Sequence, residues 1–286
     1  MPTPAPIANA PAPPPVHDIP APLYWVTKLI QIPLMAAATA LFGSISLVCG
    51  LWDRSGRQQH AVAHAWAGVM VRIALSPVEV INLSSSGAPF MERNSGAPAS
   101  GLGSLGSSDM SGKQNQAAVY ASNHLSYMDT PVLFSRLPFQ FRILAKQSLW
   151  KLPFVGWYLN RSGQVPIDAS SSRSAIAGLL RGVAALKSGM PLVVFPEGSR
   201  SLSGRLNPMA SGAAFMAIRA QVPLVPVALV GTYELLPMHV YALRPRPLKV
   251  VIGEPIPTTG LTTRDADALT TQLYAAIERM YYSHTQ

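Results

Sequence analysis

The sequence predicts an α/β fold in which a mixed, partly parallel sheet is flanked by helices and preceded by an N-terminal membrane-associated helical segment. Short apolar runs that stop at Gly, Pro and Ser recur along the chain, and stretches with apolar residues at helical spacing lie between them. The third observation is a stretch of about two dozen uncharged residues near the start, long enough to enter a bilayer core of about 30 Å. With 286 residues the chain can bury one substantial core carrying appendages. Hydrophobic residues make up 49%, only 12% are charged, and the net charge is +9. A greasy and basic chain suits an anionic lipid surface at least as well as it suits nucleic acid. The single cysteine, Cys49, excludes an internal disulfide framework and is compatible with a reducing cytoplasm.

Residues 1–22 are rich in Pro and Ala and should form an extended tail. Residues 23–76 read as a membrane-associated helical hairpin. Its first arm is the uncharged stretch 29–52, for which a spanning helix, a helix lying in one leaflet and a buried core helix are the three readings. Gln31 and Pro33 weigh against spanning. Lys28 precedes the stretch closely while Arg54 and Arg57 follow it, a bias that places the following domain on the cytoplasmic face. The second arm, 58–75, carries Val62, Trp66, Val69, Met70 and Ile73 at helical spacing. His60 and His64 lie one turn apart on it without a third ligand, so they read as a solvated face and not as a metal site.

Residues 77–286 form the main domain. A strand over 78–83 leads into a Gly/Ser-rich insertion at 84–116. Within it Gly101-Leu102-Gly103-Ser104-Leu105-Gly106 matches the dinucleotide fingerprint, but Ser/Gly/Pro-rich neighbours replace the strand and helix that a nucleotide site requires. Gly112-Lys113 is followed by Gln114 and makes no phosphate-binding loop. A strand over 117–121 then delivers Asn123-His124-Leu125-Ser126-Tyr127-Met128-Asp129 to a turn. On one continuous helix His124 and Asp129 would point roughly 140° apart, at about 100° per residue, so they meet only if the chain turns between them. Ser126-x-x-Asp129 is a capping signature that would start a helix at Tyr127. Asp129 could then fix the imidazole tautomer and leave the other ring nitrogen free to accept a proton. The plainer reading, a helix-capping Asp129 beside an ordinary loop histidine, fits the spacing equally well.

Further along, a strand over 141–145 brings Lys146 to a loop, and residues 147–161 read as a helix with a core set of Trp150, Phe154, Trp157 and Tyr158. Ile176, Leu179, Leu180, Val183 and Leu186 mark a helix from about residue 172 that Gly189 stops. The apolar run 192–195 delivers Glu197, Gly198, Ser199 and Arg200 to a loop, where charged side chains seldom serve packing. Strands over 224–230 and 249–252 follow. A last helix, opened by Thr262-x-x-Asp265, carries Leu269, Leu273, Ile277 and Met280.

Asn-His-x-Ser-x-x-Asp, followed by Phe-Pro-Glu-Gly-Ser-Arg-Ser and then Val222-Pro223-Leu224-Val225-Pro226-Val227, resembles the glycerolipid acyltransferase family in its 1-acylglycerol-3-phosphate acyltransferase branch. The resemblance covers residues 78–254. It implies acyl transfer from acyl-CoA or acyl carrier protein to a lysophospholipid acceptor at a membrane, with neither cofactor nor metal. His124 would be the base and Asp129 its orienter; Glu197 would orient the acceptor or Arg200, with Gly198 and Ser199 completing that loop. Arg200 and Lys146 would hold phosphate. The absence of a Gly-x-Ser-x-Gly elbow agrees with direct attack by an activated alcohol. Two family basic residues are missing, with Ala169 and Ala210 in their places, and Arg173, one helical turn from Ala169, is a possible substitute. Those gaps keep open another lysophospholipid or a lyso-aminolipid as acceptor. A non-catalytic lipid-binding protein and a thioester hydrolase are the competing classes. Nothing in the pattern implies a nucleic-acid partner or specifies an oligomeric state.

Overall fold

A computed structural model of the chain describes residues 20–53, 55–85, 117–168, 170–240 and 242–285. Most of the Pro/Ala-rich tail, most of the Gly/Ser-rich insertion with its fingerprint-like stretch, Arg54 and Ala169 lie outside these residues. The strands are β1 (Val78–Asn82), β2 (Val119–Ser122), β3 (Arg142–Lys146), β4 (Val165–Ile167), β5 (Leu192–Val194), β6 (Leu224–Val230) and β7 (Leu248–Ile252). They form a seven-stranded sheet in the order β1-β7-β6-β2-β5-β3-β4. Every pairing is parallel except β6 with β7, so the sheet is mixed and mostly parallel.

Strand alternation sorts the core into two layers. Val119 and Ala121 of β2 and Leu224, Ala228 and Val230 of β6 face one apolar cluster, which α6 (Ser172–Lys187), α7 (Gly212–Ala220) and α9 (Ala266–Ser283) cover. Tyr120 of β2 and Val225, Val227 and Leu229 of β6 face the other, which α3 (Arg57–Ile73) and α4 (Asp129–Arg136) cover. All seven residues of β6 are buried, which is why its sequence is an unbroken apolar run.

The N-terminal segment is one continuous helix, Ala21–Cys49, built from α1 (Ala21–Val26), a π-helical turn (Thr27–Gln31) and α2 (Ile32–Cys49). It begins inside the stretch read as tail. The π turn rotates two polar side chains inward: Thr27 Oγ1 donates to Gln31 Oε1 at 2.8 Å, Gln31 Nε2 donates to the Ile73 carbonyl at 2.8 Å, and the Leu243 N–H donates to Thr27 Oγ1 at 3.2 Å. Trp66 Nε1 donates to Thr39 Oγ1 at 3.1 Å further along. These contacts fasten the helix lengthwise, antiparallel to α3, while Trp25, Leu29, Ile30, Leu34 and Leu41 stay exposed.

Several expectations are corrected. The helix after the histidine turn starts at Asp129 and not at Tyr127, because the Ser126 hydroxyl is spent on the Leu236 carbonyl at 2.8 Å and on the Met128 N–H at 3.2 Å. Residues 147–161 form a 3₁₀ turn (Gln147–Lys151) and then α5 (Val155–Arg161), since Pro153 drives Leu152 to extended backbone and Phe154 takes φ +61°. The sequence reading also passed over β4, α7 and the single turn α8 (Thr232–Leu235). Finally, His60 is not on a solvated face: it is buried, with its ring centroid 4.8 Å from Phe141 and 5.5 Å from Phe134, whereas His64 is exposed.

Burial lowers the His60 pKa from 6.5 to about 4, with His64 adding to the shift. The unfolded chain therefore binds this proton more readily, so the stability tied to neutral His60 is complete above pH 6.5 and disappears as pH falls through about 4. A His60→Leu variant is expected to lose less stability than wild type across that window. Urea midpoints measured along a pH series check the difference in slope.

Candidate active site

β2 and β5 are adjacent parallel strands, so the loops that leave their C-terminal ends emerge side by side. The first loop carries His124 and the second carries residues 196–201. Asn123 anchors the first to the neighbouring strand: its Oδ1 accepts from the Leu229 N–H at 2.7 Å and its Nδ2 donates to the Leu229 carbonyl at 2.9 Å. Two bonds then tie the loops together. Glu197 Oε1 accepts from the His124 N–H at 2.8 Å, and the Ser201 N–H donates to the His124 carbonyl at 2.9 Å.

Asp129 is fully buried at the first turn of α4, and its Oδ2 accepts three bonds. The donors are the Leu125 N–H at 2.6 Å, the Ser126 N–H at 2.8 Å and His124 Nδ1 at 2.8 Å. Asp129 thus holds the loop and the imidazole and does not cap the helix, since α4 has no side-chain cap bond. A carboxylate oxygen that accepts from Nδ1 leaves the proton there and the lone pair on Nε2. The imidazole is 18% exposed and stacks on Phe195, with centroids 4.0 Å apart and planes inclined by 16°. It has one open edge.

That edge meets a cavity of about 1270 Å³, whose wall includes His124, Lys146, Gly198, Ser199 and Arg200 together with apolar side chains of α2, α3, α5 and α6. The guanidinium of Arg200 lies 3.7 Å above the Tyr127 ring. The structure therefore brings five of the sequence-selected residues to one cavity and seats Asp129 directly behind them. Glu197 stands apart from the cavity wall; its second oxygen, Oε2, accepts from the Asn207 N–H at 2.9 Å, so this side chain is a tie between backbone segments. Arg173 is exposed on the first turn of α6 and is not part of the wall, whereas Ala210 is. Among the described residues, no three His, Cys, Asp or Glu side chains converge to hold a metal ion.

Sequence reasoning missed Phe195, Tyr127, Asn123 and the contribution of α2 and α3 to the wall. Phe195 closes an apolar strand and reads as core; Tyr127 and Asn123 owe their roles to partners distant in the chain.

A family model described as Acyltransferase matches residues 107–230, the stretch that holds both loops and strands β2 to β6. Over that stretch the chain matches the acyltransferase family. Among its relatives, a chloroplastic 1-acyl-sn-glycerol-3-phosphate acyltransferase of Brassica napus is 30% identical over 230 residues, which span 78% of this chain and 59% of that one. A second, from Arabidopsis thaliana, is 31% identical over 230 residues, 78% of this chain and 57% of its own. The chain thus spans less than two thirds of the length of these relatives. The crystal structure of the 1-acyl-sn-glycerophosphate acyltransferase PlsC of Thermotoga maritima shares the fold, with a TM-score of 0.68 at 21% identity over 90% of this chain and 94% of the other.

Burial raises the Glu197 pKa from 4.5 to about 8 against the lowering effect of its two backbone donors, and the charge of Asp129 adds to the rise. The folded state holds this proton more tightly, so the associated stability is complete below pH 4.5 and is lost as pH rises through about 8. Glu197→Gln should flatten that dependence. It should also lower stability at neutral pH by roughly 1 kcal/mol, because an amide nitrogen cannot accept from the second N–H. Thermal unfolding of both proteins across the pH range is the check.

Proposed function

We propose that the protein transfers a fatty acyl group from the thioester of coenzyme A or acyl carrier protein to the free hydroxyl of 1-acylglycerol-3-phosphate, giving phosphatidate. The observation that carries this reading is His124, held at Nδ1 by a buried carboxylate and open at its other edge to an apolar cavity wide enough for acyl chains. Nε2 takes the hydroxyl proton as the oxygen attacks the thioester carbonyl carbon. The tetrahedral intermediate then collapses, the C–S bond breaks, and the imidazolium returns the proton to the departing thiolate. Asp129 steadies the imidazolium while it exists. Arg200 and Lys146, at the same cavity, hold the acceptor phosphate; the contact with Tyr127 fixes the direction of the Arg200 guanidinium. Ala210 on the wall favours testing a second reading, in which another lysophospholipid or a lyso-aminolipid is the acceptor.

The N-terminal helix lies in the plane of one leaflet in this reading, with the domain on the cytoplasmic side. Its length and apolar character alone are weak evidence of membrane association. The further support is its attachment from Gln31 to Gly50 along α3, whose Arg57, His64 and Arg72 are exposed. A spanning helix would drag that charged neighbour, about 25 Å long, into hydrocarbon. The exposed apolar face suits an interface instead.

His124→Ala is expected to lower turnover by about 10²- to 10⁴-fold with unchanged circular dichroism. Arg200→Ala should raise the KM for the acceptor more than for the donor. Both are assayed on the purified protein with one acyl donor and a panel of lyso-lipid acceptors. Turnover of another acceptor without turnover of 1-acylglycerol-3-phosphate would replace the first reading by the second. Separately, replacing Leu29, Ile30 and Leu34 together by serine should reduce vesicle binding by at least about tenfold, since each side chain removed from an apolar phase forfeits roughly 1.5–3 kcal/mol at full burial. Flotation with phospholipid vesicles measures it.

A further inference from the structure

The seam between α3 and α4 holds a second cavity, of about 220 Å³, that shares no wall residue with the chamber at His124. Trp66 of α3 and Phe134 of α4 line the large chamber, whereas Gly68, Val71 and Arg72 of α3 with Ser135 and Arg136 of α4 line the small one. Arg72 is exposed and Arg136 half-buried, so a solute can reach both. Two guanidinium groups thus border one small space, and neither makes an ion pair with a described residue.

Each arginine stands in the last turn of its helix, where a cation suits the helix dipole. An arginine serving only the helix end would donate to its free terminal carbonyls. Neither side chain donates to any described group, and Arg136 Nε is sealed from solvent without an acceptor. Burial first, and then the charge of Arg72, lower the Arg136 pKa below that of an ordinary guanidinium, so the two cations oppose each other. The acidic residues nearest in the chain are turned elsewhere. Glu79 lies between Val78 and Val80, which pack on the α3 and α4 side, so it points to the other face of the sheet; Asp129 faces His124. The Ser135 hydroxyl donates to the Val132 carbonyl at 2.8 Å, which leaves the arginines as the side-chain donors of the cavity.

Gly68 is an independent sign that this space is kept open. A glycine inside a helix costs about 1 kcal/mol relative to alanine, and close packing is the usual reason to bear it. In α6 that reason is visible: a Cβ on Gly178 would come within 3.1 Å of the Pro166 carbonyl oxygen, and one on Gly182 would strike Met216 Sδ. A Cβ on Gly68 would meet nothing within 4 Å. The missing side chain makes no room for a neighbour; it makes room at the cavity.

We propose that Arg72 and Arg136 form a phosphate-binding site at the α3–α4 seam, separate from the site of acyl transfer, with Gly68 giving the phosphate group room. The site goes beyond the acyl-transfer reading and does not depend on it. Phosphate oxygens can accept from both planar guanidinium forks, and the anion's charge removes the opposition between the two cations. Ile73, the residue after Arg72, accepts through its carbonyl from Gln31 of the N-terminal helix at 2.8 Å. The site therefore stands beside the root of the helix whose apolar face is exposed, and the phosphate is that of a phospholipid headgroup or dissolved phosphate.

The test uses the full chain carrying Arg200→Ala, so that the arginine of the large chamber does not contribute. It reads the rise in Tm as inorganic phosphate replaces chloride at constant ionic strength. Half-saturation should move to about tenfold higher phosphate in Arg72→Gln and in Arg136→Met. Gly68→Leu keeps every charge and favours the helix, yet should abolish the response by filling the cavity. In chloride alone it should melt no lower than its parent, which tells a filled cavity from a damaged fold. Flotation with vesicles of phosphatidylcholine, alone and mixed equally with phosphatidylglycerol, identifies the source. Weaker binding of Gly68→Leu to the mixed vesicles assigns a lipid headgroup; unchanged vesicle binding with a lost phosphate response assigns dissolved phosphate. The proposal is overturned if Gly68→Leu leaves both responses at the parent level, since any attraction then belongs to diffuse surface charge, or if its effect is not matched by the two arginine variants.

Discussion

A carboxyl group with no access to water is tolerated only where hydrogen-bond donors replace the lost hydration, and Asp129 receives three on one oxygen. That requirement shapes everything around it. The N–H groups of Leu125 and Ser126 converge on Oδ2 only because the chain turns sharply after β2. The turn places His124 beside its own acid, and the first turn of α4 adds its favourable dipole to the same group. The strands matter because they hold this turn still. Asn123 bonds both backbone groups of Leu229 in β6, and the Ser126 hydroxyl reaches the Leu236 carbonyl, so the loop is fixed at its base and at its crest. Removal of the carboxylate would release two backbone donors and the imidazole together, which is why one residue governs fold and site alike.

Glu197 lies close by under the opposite condition. Its two backbone donors do not outweigh burial, and its proximity to Asp129 works in the same direction as burial, so its pKa rises to about 8. Two carboxyl groups near one histidine are thereby separated in role by environment. One takes three bonds on a single oxygen and faces the ring; the other spreads two bonds over two oxygens and joins His124 to Asn207. The Ser201 N–H completes the arrangement by taking the His124 carbonyl. The imidazole thus sits on a residue bonded at both its N–H and its C=O, with Phe195 stacked against the ring.

Both loops of the candidate site were legible in the sequence, because charged residues following an apolar run have no packing reason to be there. β6 and α9 were legible for the complementary reason, that their apolar periodicity is uninterrupted. The failures have equally local causes. α7, Gly-Ala-Ala-Phe-Met-Ala-Ile-Arg-Ala, is apolar but for Arg219 and offers little contrast of faces; α8 is a single turn; β4 is three residues long with Pro166 at its centre. His60 lacks any local mark of burial, since Phe134 and Phe141 reach it from distant positions. Glu197 was recognised as belonging to the site, but its role as a tie depends on the backbone of a residue ten positions later, which no pattern of side chains encodes.

The N-terminal helix meets three different demands along one length of chain. Its outer face, with Trp25, Leu29, Leu34 and Leu41, is apolar and exposed. Its inner face carries Thr27, Gln31 and Thr39, each bonded to the domain or to the π turn that turns inward. The third stretch, Phe42, Gly43 and Ser46, forms part of the wall of the chamber that opens at His124. A separate anchor joined by a linker would place water between lipid and chamber. Here, on the proposed in-plane placement and in the proposed reaction, one helix thickness separates them, so an acyl chain would reach the imidazole while staying against apolar surface, and the cost of passing each methylene through water, about 0.8 kcal/mol, would be avoided. The polar ties at Gln31 and Thr39 are therefore part of the architecture of the cavity: without them the helix would no longer be one of its walls.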